Sequence, residues 1–231
     1  MISFLSKHKR TIFTVVVVVF IGSIFFVSGQ VFTASSSDAV ADVGGKKIPY
    51  RQFQMQVNRT LSSFRESGTE VSDVISRGVK QEIFQQMVIE ELFSRQGAEL
   101  GLLVPDFEVA VEIQNTPMFT ENGAFAPRRY YQTIYNEFQM SPKEYEAWRK
   151  QSRLYDKYRR FLATSVKVTP DELRSYYLAR NKSMKDFDKN KDKYLGELTQ
   201  EKFGQVANYL IRQLQGKMEI KSYLALREQG K

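Results

Sequence analysis

The chain has 231 residues, 42% of them hydrophobic and 26% charged, the composition of an ordinary folded protein rather than a disordered or collagen-like one. Its formal net charge of +8 points toward acidic partners without identifying any. Cysteine is absent and the one histidine is His8, which excludes thiol catalysis, disulfides, Cys/His zinc sites and a Ser-His-Asp triad in the body of the chain. A bound metal would have oxygen ligands alone.

Residues 1–10 carry Lys7, Lys9 and Arg10, and residues 11–32 (TIFTVVVVVFIGSIFFVSGQVF) carry no charge. As a helix rising 1.5 Å per residue, this run reaches roughly 30 Å, the thickness of a hydrocarbon core. In lipid its backbone must satisfy its own hydrogen bonds, so the valines are read as a transmembrane helix despite their weak helix propensity in water. By the positive-inside rule, the basic residues before it keep the N-terminus in the cytoplasm, and everything after about residue 33 is exported. The alternative is a cleaved signal peptide, whose apolar core is usually shorter, about 7–15 residues. Residues 33–39 (TASSSDA) read as a short tether, and residues 40–223 as the main domain, with 224–231 a tail.

Gly44-Gly45 supplies the positive φ angles of a tight turn, so a small hairpin is predicted around it. Pro49 suits a first helical turn, and Phe53, Val57, Leu61 and Phe64 recur at helical spacing. Ser72 or Asp73 caps a helix running to about Glu99, with Val71, Ile75, Val79, Ile83, Met87, Val88, Leu92 and Phe93 as its apolar stripe and Gly101 closing it. Pro105 and Asp106 open a short helix. The segment TPMFTENGAFAP, with two prolines and a glycine, is predicted to be irregular.

Residues 128–139 read as a helix. Ser141, Pro142 and Glu144 then form the capping box of another, and Thr169 and Glu172 repeat the signal. The polar run 183–193 reads as a loop, followed by a helix over about 195–215 with Leu198, Phe203, Val206, Leu210 and Leu214 apolar. Residues 217–223 read as a strand that can pair with the hairpin and bring the domain ends together. The predicted fold class is therefore mostly α, with a transmembrane helix, a helical domain and a small sheet.

Two stretches are candidate sites. Arg149, Lys150, Arg153, Lys157, Arg159 and Arg160 interleave with Tyr155 and Tyr158. Such a pattern can bind an acidic partner, anionic lipid or nucleic acid, or simply form a solvated helix face; export argues against nucleic acid. In the irregular segment, Met118, Phe119, Phe125, Tyr130 and Tyr131 either pin the loop to the helices or present an adaptable apolar surface to unfolded chains. Glu90 and Glu91 are adjacent, hence about 100° apart on a helix, and are read as structural rather than as an acid/base pair.

The order of these features resembles the SurA-type periplasmic chaperones and, with the apolar N-terminal run, the PpiD-like membrane-anchored foldases. The resemblance is carried by VADVGGKKIPYRQF at 40–53, QEIFQQMVIEELFSRQGAELGLLVPDFEV at 81–109, TPMFTENGAFAPRRY at 116–130, MSPKEY at 140–145 and VTPDELRSYY at 168–177. Gly44 stands where the family usually has asparagine, and Pro49 where it has a polar cap. In the foldases a parvulin prolyl isomerase domain follows the last of these motifs, whereas here only 183–193 occupies that place. The resemblance therefore implies a chaperone domain without isomerase activity. It would bind unfolded exported or outer-membrane proteins at the inner membrane, near a translocon or assembly complex, and need no cofactor. A non-catalytic scaffold subunit of such a complex is the alternative.

Overall fold

The computed structural model of the protein describes residues 38–181 and 183–229. The apolar run 11–32 and its flanks lie outside the described residues. Among the described residues, no helix is long and apolar enough to cross a membrane.

Strand β1 (Ala39–Val43) turns into β2 (Lys46–Pro49) through Gly44 and Gly45, both at positive φ (57° and 88°), as the Gly-Gly pair predicts. Helix α1 (Tyr50–Glu66) follows directly, and α2 (Asp73–Glu99) starts on Ser72, whose Oγ accepts from the Ile75 amide at 3.4 Å. Gly101, at φ 82°, ends the helix region, and α3 (Asp106–Asn115) begins after Pro105.

The next segment is more regular than predicted. A 3-10 turn over Pro117–Phe119 leads into a miniature hairpin of β3 (Thr120–Glu121) and β4 (Ala124–Phe125). Asn122 and Gly123 both take positive φ (52° and 80°) at its tip. Asn-Gly is the strongest short hairpin signal, and two residues on either side suffice for it.

Helix α4 (Pro127–Asn136) and α5 (Pro142–Ser165) follow, the latter with the full capping box on Ser141 and Glu144. Helix α6 (Pro170–Asn181) has the matching box, with the Glu172 carboxylate accepting from the Thr169 amide at 2.8 Å. Helix α7 spans Phe187–Lys217, so most of the run 183–193 is helix rather than loop. The polar residues there face water. The register is held by aromatic contacts to α6, with Tyr177 edge-on to Phe187 (5.2 Å) and to Tyr194 (4.8 Å). Strand β5 (Ile220–Ser222) and α8 (Leu224–Glu228) complete the order.

The sheet order is β2-β1-β5, with β5 antiparallel to β1 and Val43 opposite Ile220. The predicted pairing of the domain's ends therefore forms. Val40–Lys231 is one compact unit containing two cores. One is largely aliphatic and joins the sheet to α1, α2, the end of α5 and α7; Val40, Val43 and Leu92 are fully enclosed in it. The other is aromatic and lies among α3, the 3-10 turn, α4 and the start of α5, around Phe119 and Ile134. Phe64 and Val206, expected on buried faces, are 37% and 40% exposed: Phe64 stands in the last turn of α1, while at Val206 it is the neighbours Phe203, Ala207 and Leu210 that pack on the core.

Candidate functional site

Helix α5 is common to both cores. It packs along α2 at a small-residue contact: a Cβ at Gly97 would stand 3.2 Å from Cβ of Tyr158, and Ser94 Oγ donates across to the Gln151 carbonyl at 3.2 Å. Beside it, side chains of α2 and α5 line a groove of about 1210 Å³ together with the β1–β2 turn, the start of α1 and residues 102–105. That exceeds the roughly 300–1000 Å³ of small-molecule sites.

Its lining comes from both cores. Leu102 belongs to the aliphatic one, while Val104, Met140, Trp148 and Leu154 belong to the aromatic one. Ala98 and Ala147 leave room for an occupant, and Leu103 stands 75% exposed at the mouth. Trp148 is the chain's one tryptophan, edge-on to Tyr145 at 5.7 Å, and its Nε1 is buried without an acceptor.

The polar wall of the groove is closed by a three-residue network. Glu91 is 3% exposed; its Oε2 accepts from Gln151 Nε2 at 2.6 Å and from Lys46 Nζ at 2.8 Å, and Lys46 also donates to Gln151 Oε1 at 3.0 Å. A buried carboxylate is tolerable only when paired in this way, and here the pairing fixes β2 to α2 and α5. Neighbouring Glu90 lacks such partners: one of its carboxylate oxygens is buried with no hydrogen bond, and burial raises its pKa to about 7. The two carboxylates share no site, as their spacing on the helix requires.

The five apolar candidates divide between the core and the surface. Phe119 is fully buried, edge-on to Tyr130 (5.1 Å) and Tyr145 (5.7 Å), and Tyr130 is also buried. Both are core residues and cannot present a surface to a client. Met118 and Phe125 are half-buried against the same core, and Tyr131 alone of the five is exposed, at 49%. The miniature hairpin causes this, because it folds the segment's large side chains inward.

The basic stretch is likewise occupied. Arg149, Arg153 and Lys157, one turn apart on α5, face the carboxylates of α3. Arg149 donates to Glu112 at 2.7 Å through Nε, Arg153 binds both Glu108 and Glu112, and Lys157 reaches Glu108 at 2.6 Å. Lys150 reaches Asp106 at 2.6 Å. Arg159 lies over the Phe203 ring, 5.9 Å from its centre, and Arg160 is exposed. Four of the six cations thus tie α3 to α5, so the stretch does not form an open basic patch. The carboxylates at 106, 108 and 112 were the signal for this, visible in the sequence but not assignable to a partner. Among the described residues no cluster of His, Asp and Glu is arranged to hold a metal ion.

Of the sequence-derived candidates Lys150 lines the groove; the other lining residues escaped sequence reasoning because they come from four separate elements. No curated protein matches the chain. A family model described as the SurA-like N-terminal domain matches residues 1–159. The β1–β2 hairpin, the long α2, the 116–130 segment and most of α5 all fall within that match, and from α6 the chain reaches α7 through residues 182–186 alone. This chain therefore belongs to the family of SurA-like N-terminal domains, which are modules of chaperone type.

Proposed function

We propose that the protein is an inner-membrane-anchored periplasmic chaperone, without catalytic activity, whose groove between α2 and α5 holds extended apolar segments of unfolded exported or outer-membrane proteins. The observation that carries this reading is the groove itself, which is mostly apolar, larger than a small-molecule site and lined from both cores. Apolar contact without shape-specific polar readout gives weak, reversible and sequence-tolerant binding, which hides surface that would otherwise aggregate. Family membership supports the chaperone class. The uncharged run 11–32 supports the anchor, which would keep the groove near emerging chains and raise its effective concentration there.

The test is suppression of aggregation of two unrelated unfolded proteins by the full chain at near-stoichiometric ratio. Leu103→Asp combined with Ala147→Glu blocks the groove at two exposed positions, so the fold should persist by circular dichroism while protection is lost. Protection that survives these changes would place the client elsewhere.

A scaffold subunit of a translocation or assembly complex is the second reading. It is favoured by exposed apolar residues at the end of α2 and on α3, Leu100, Phe107 and Val111, each more than half exposed. A scaffold would protect neither unfolded protein and would crosslink in the membrane to one stoichiometric partner.

A further inference from the structure

We infer that the groove selects apolar segments flanked by carboxylates over the same segments flanked by lysine or arginine. The inference rests on the reading of the groove as a polypeptide site and adds the charge of its occupant. Five cationic side chains line the groove (Lys46, Lys47, Arg51, Arg95 and Lys150) against two anionic ones, Glu91 and Glu144. Both anions are engaged within the fold. Glu91 is buried between Lys46 and Gln151, and Glu144 caps α5 through the Ser141 amide at 2.8 Å while reaching Arg51 at 3.6 Å.

The lining also carries Lys47 on the hairpin, Arg95 on α2 and Lys150 on α5. Arg95 and Lys150 reach Glu99 (3.7 Å) and Asp106 (2.6 Å), neither of which lines the groove; these two carboxylates are 55% and 92% exposed. Exposed pairs of this kind are worth about 1 kcal/mol or less. A carboxylate brought in beside an apolar floor, where water is partly excluded, competes with them, and a cation brought there meets like charge.

The turn is built to place one of these cations. Arg95 Nη1 donates to the Gly44 carbonyl at 3.0 Å, and a Cβ at position 44 would collide with that nitrogen. Glycine at this position therefore lets the guanidinium settle against the turn at the groove rim, in addition to supplying positive φ.

Trp148 provides the readout, since it is the one tryptophan and lines the groove. Two tryptophan-free peptides with the same leucine-rich centre, one flanked by Asp and Glu and the other by Lys, are titrated against the full chain held in nanodiscs of zwitterionic lipid. The acidic-flanked peptide should bind roughly tenfold tighter at low salt, a difference of about 1.4 kcal/mol. The advantage should shrink as salt shortens the screening length. The Lys47→Glu, Lys150→Glu variant, changed at two exposed side chains and checked for its fold by circular dichroism, should lose or reverse the preference. Equal affinities, or tighter binding of the basic peptide, would overturn the charge inference and leave the groove reading standing. Binding of neither peptide would overturn both.

Discussion

The two cores of this domain solve the same problem with different materials. The aliphatic core is closed by chain segments far apart in sequence: β1 pairs with β5, and Leu224 packs beside residues of α1 and α2. The aromatic core is local, with all its buried members between Val104 and Tyr145, and it is held by edge-on ring pairs around Phe119 and Tyr145. Aliphatic side chains pack without directional preference, whereas rings fix one another's orientation. The groove lies where the two meet. Its apolar lining is drawn from both.

The comparison is broken most strongly at Phe119. Phe119→Ala removes a fully enclosed ring that contacts two others, and a loss of about 3–5 kcal/mol is expected by analogy with other large-to-small core changes. Urea unfolding of this variant should be followed by two probes. Trp148 fluorescence reports the aromatic core, and circular dichroism reports the helices of both. A fluorescence transition that precedes the dichroism transition would show that the cores unfold as separate units. Coincident transitions would show that α5 couples them into one.

Glu90→Gln tests the seam between the cores. Burial raises the pKa of this carboxyl from 4.5 to about 7, Asp156 and Glu91 add to the shift, and Arg149 and Lys46 oppose it. The folded state then keeps a proton that the unfolded chain releases, so stability declines as pH rises from 4.5 toward 7, and the full cost is present above that range. At 1.36 kcal/mol per unit the cost is on the order of 3 kcal/mol. The glutamine variant should be more stable than the parent at pH 8 and nearly equal to it at pH 4.5. An equal gain at both pH values would mean that the neutral amide improves packing rather than relieving charge.

How much of this was legible in the sequence differs between the cores. The aliphatic stripe Val79, Ile83, Met87, Val88, Leu92 and Phe93 is a helical period, and a period is a local signal that burial merely reads out. The end-to-end pairing of β1 with β5 was accessible because alternating residues and a Gly-Gly turn leave little choice. The 116–130 segment reads as irregular from its prolines and glycine, although Asn122-Gly123 marks a hairpin; that its large side chains pin it to the helices was one of the two readings open, and Phe119 is buried. The basic stretch left several readings open for a different reason. Arg149, Arg153 and Lys157 form one stripe and Glu108 and Glu112 another, but which stripe meets which is a tertiary fact that neither helix carries alone. The groove shares that limit, being defined by the spacing between elements.

Arg153 joins the aromatic core's α3 to α5, and its removal sharpens the comparison at lower energy. Arg153→Met keeps the apolar stem but leaves Glu108 and Glu112 with fewer donors, at a cost of roughly 1–2 kcal/mol for this partly exposed network. Hydrogen bonds from Lys157 and then Arg153 hold the Glu108 carboxyl below its ordinary pKa. Stability from this source is present above the ordinary carboxylate range and lost as pH falls through the lowered value. The difference between parent and variant should therefore narrow toward acid. A difference that stays constant from pH 7 to pH 3 would assign the effect to packing of the stem.

The smallest effect concerns the start of α5, where both cores and the groove take their alignment. Ser141 Oγ accepts from the Glu144 amide at 3.3 Å, and the Glu144 carboxylate accepts from the Ser141 amide at 2.8 Å. Ser141→Ala removes half of this box and should cost about 1 kcal/mol. Glu144 and Trp148 are one turn apart on the same first stretch of helix, so fraying there loosens the groove wall before it loosens either core. Trp148 fluorescence should thus become more accessible to a neutral quencher in Ser141→Ala while the unfolding midpoint moves only slightly. If quenching is unchanged and the midpoint falls alone, the cap serves the fold of α5 as a whole, and Tyr145 and Phe138, stacked edge-on at 5.0 Å, hold the groove wall without it.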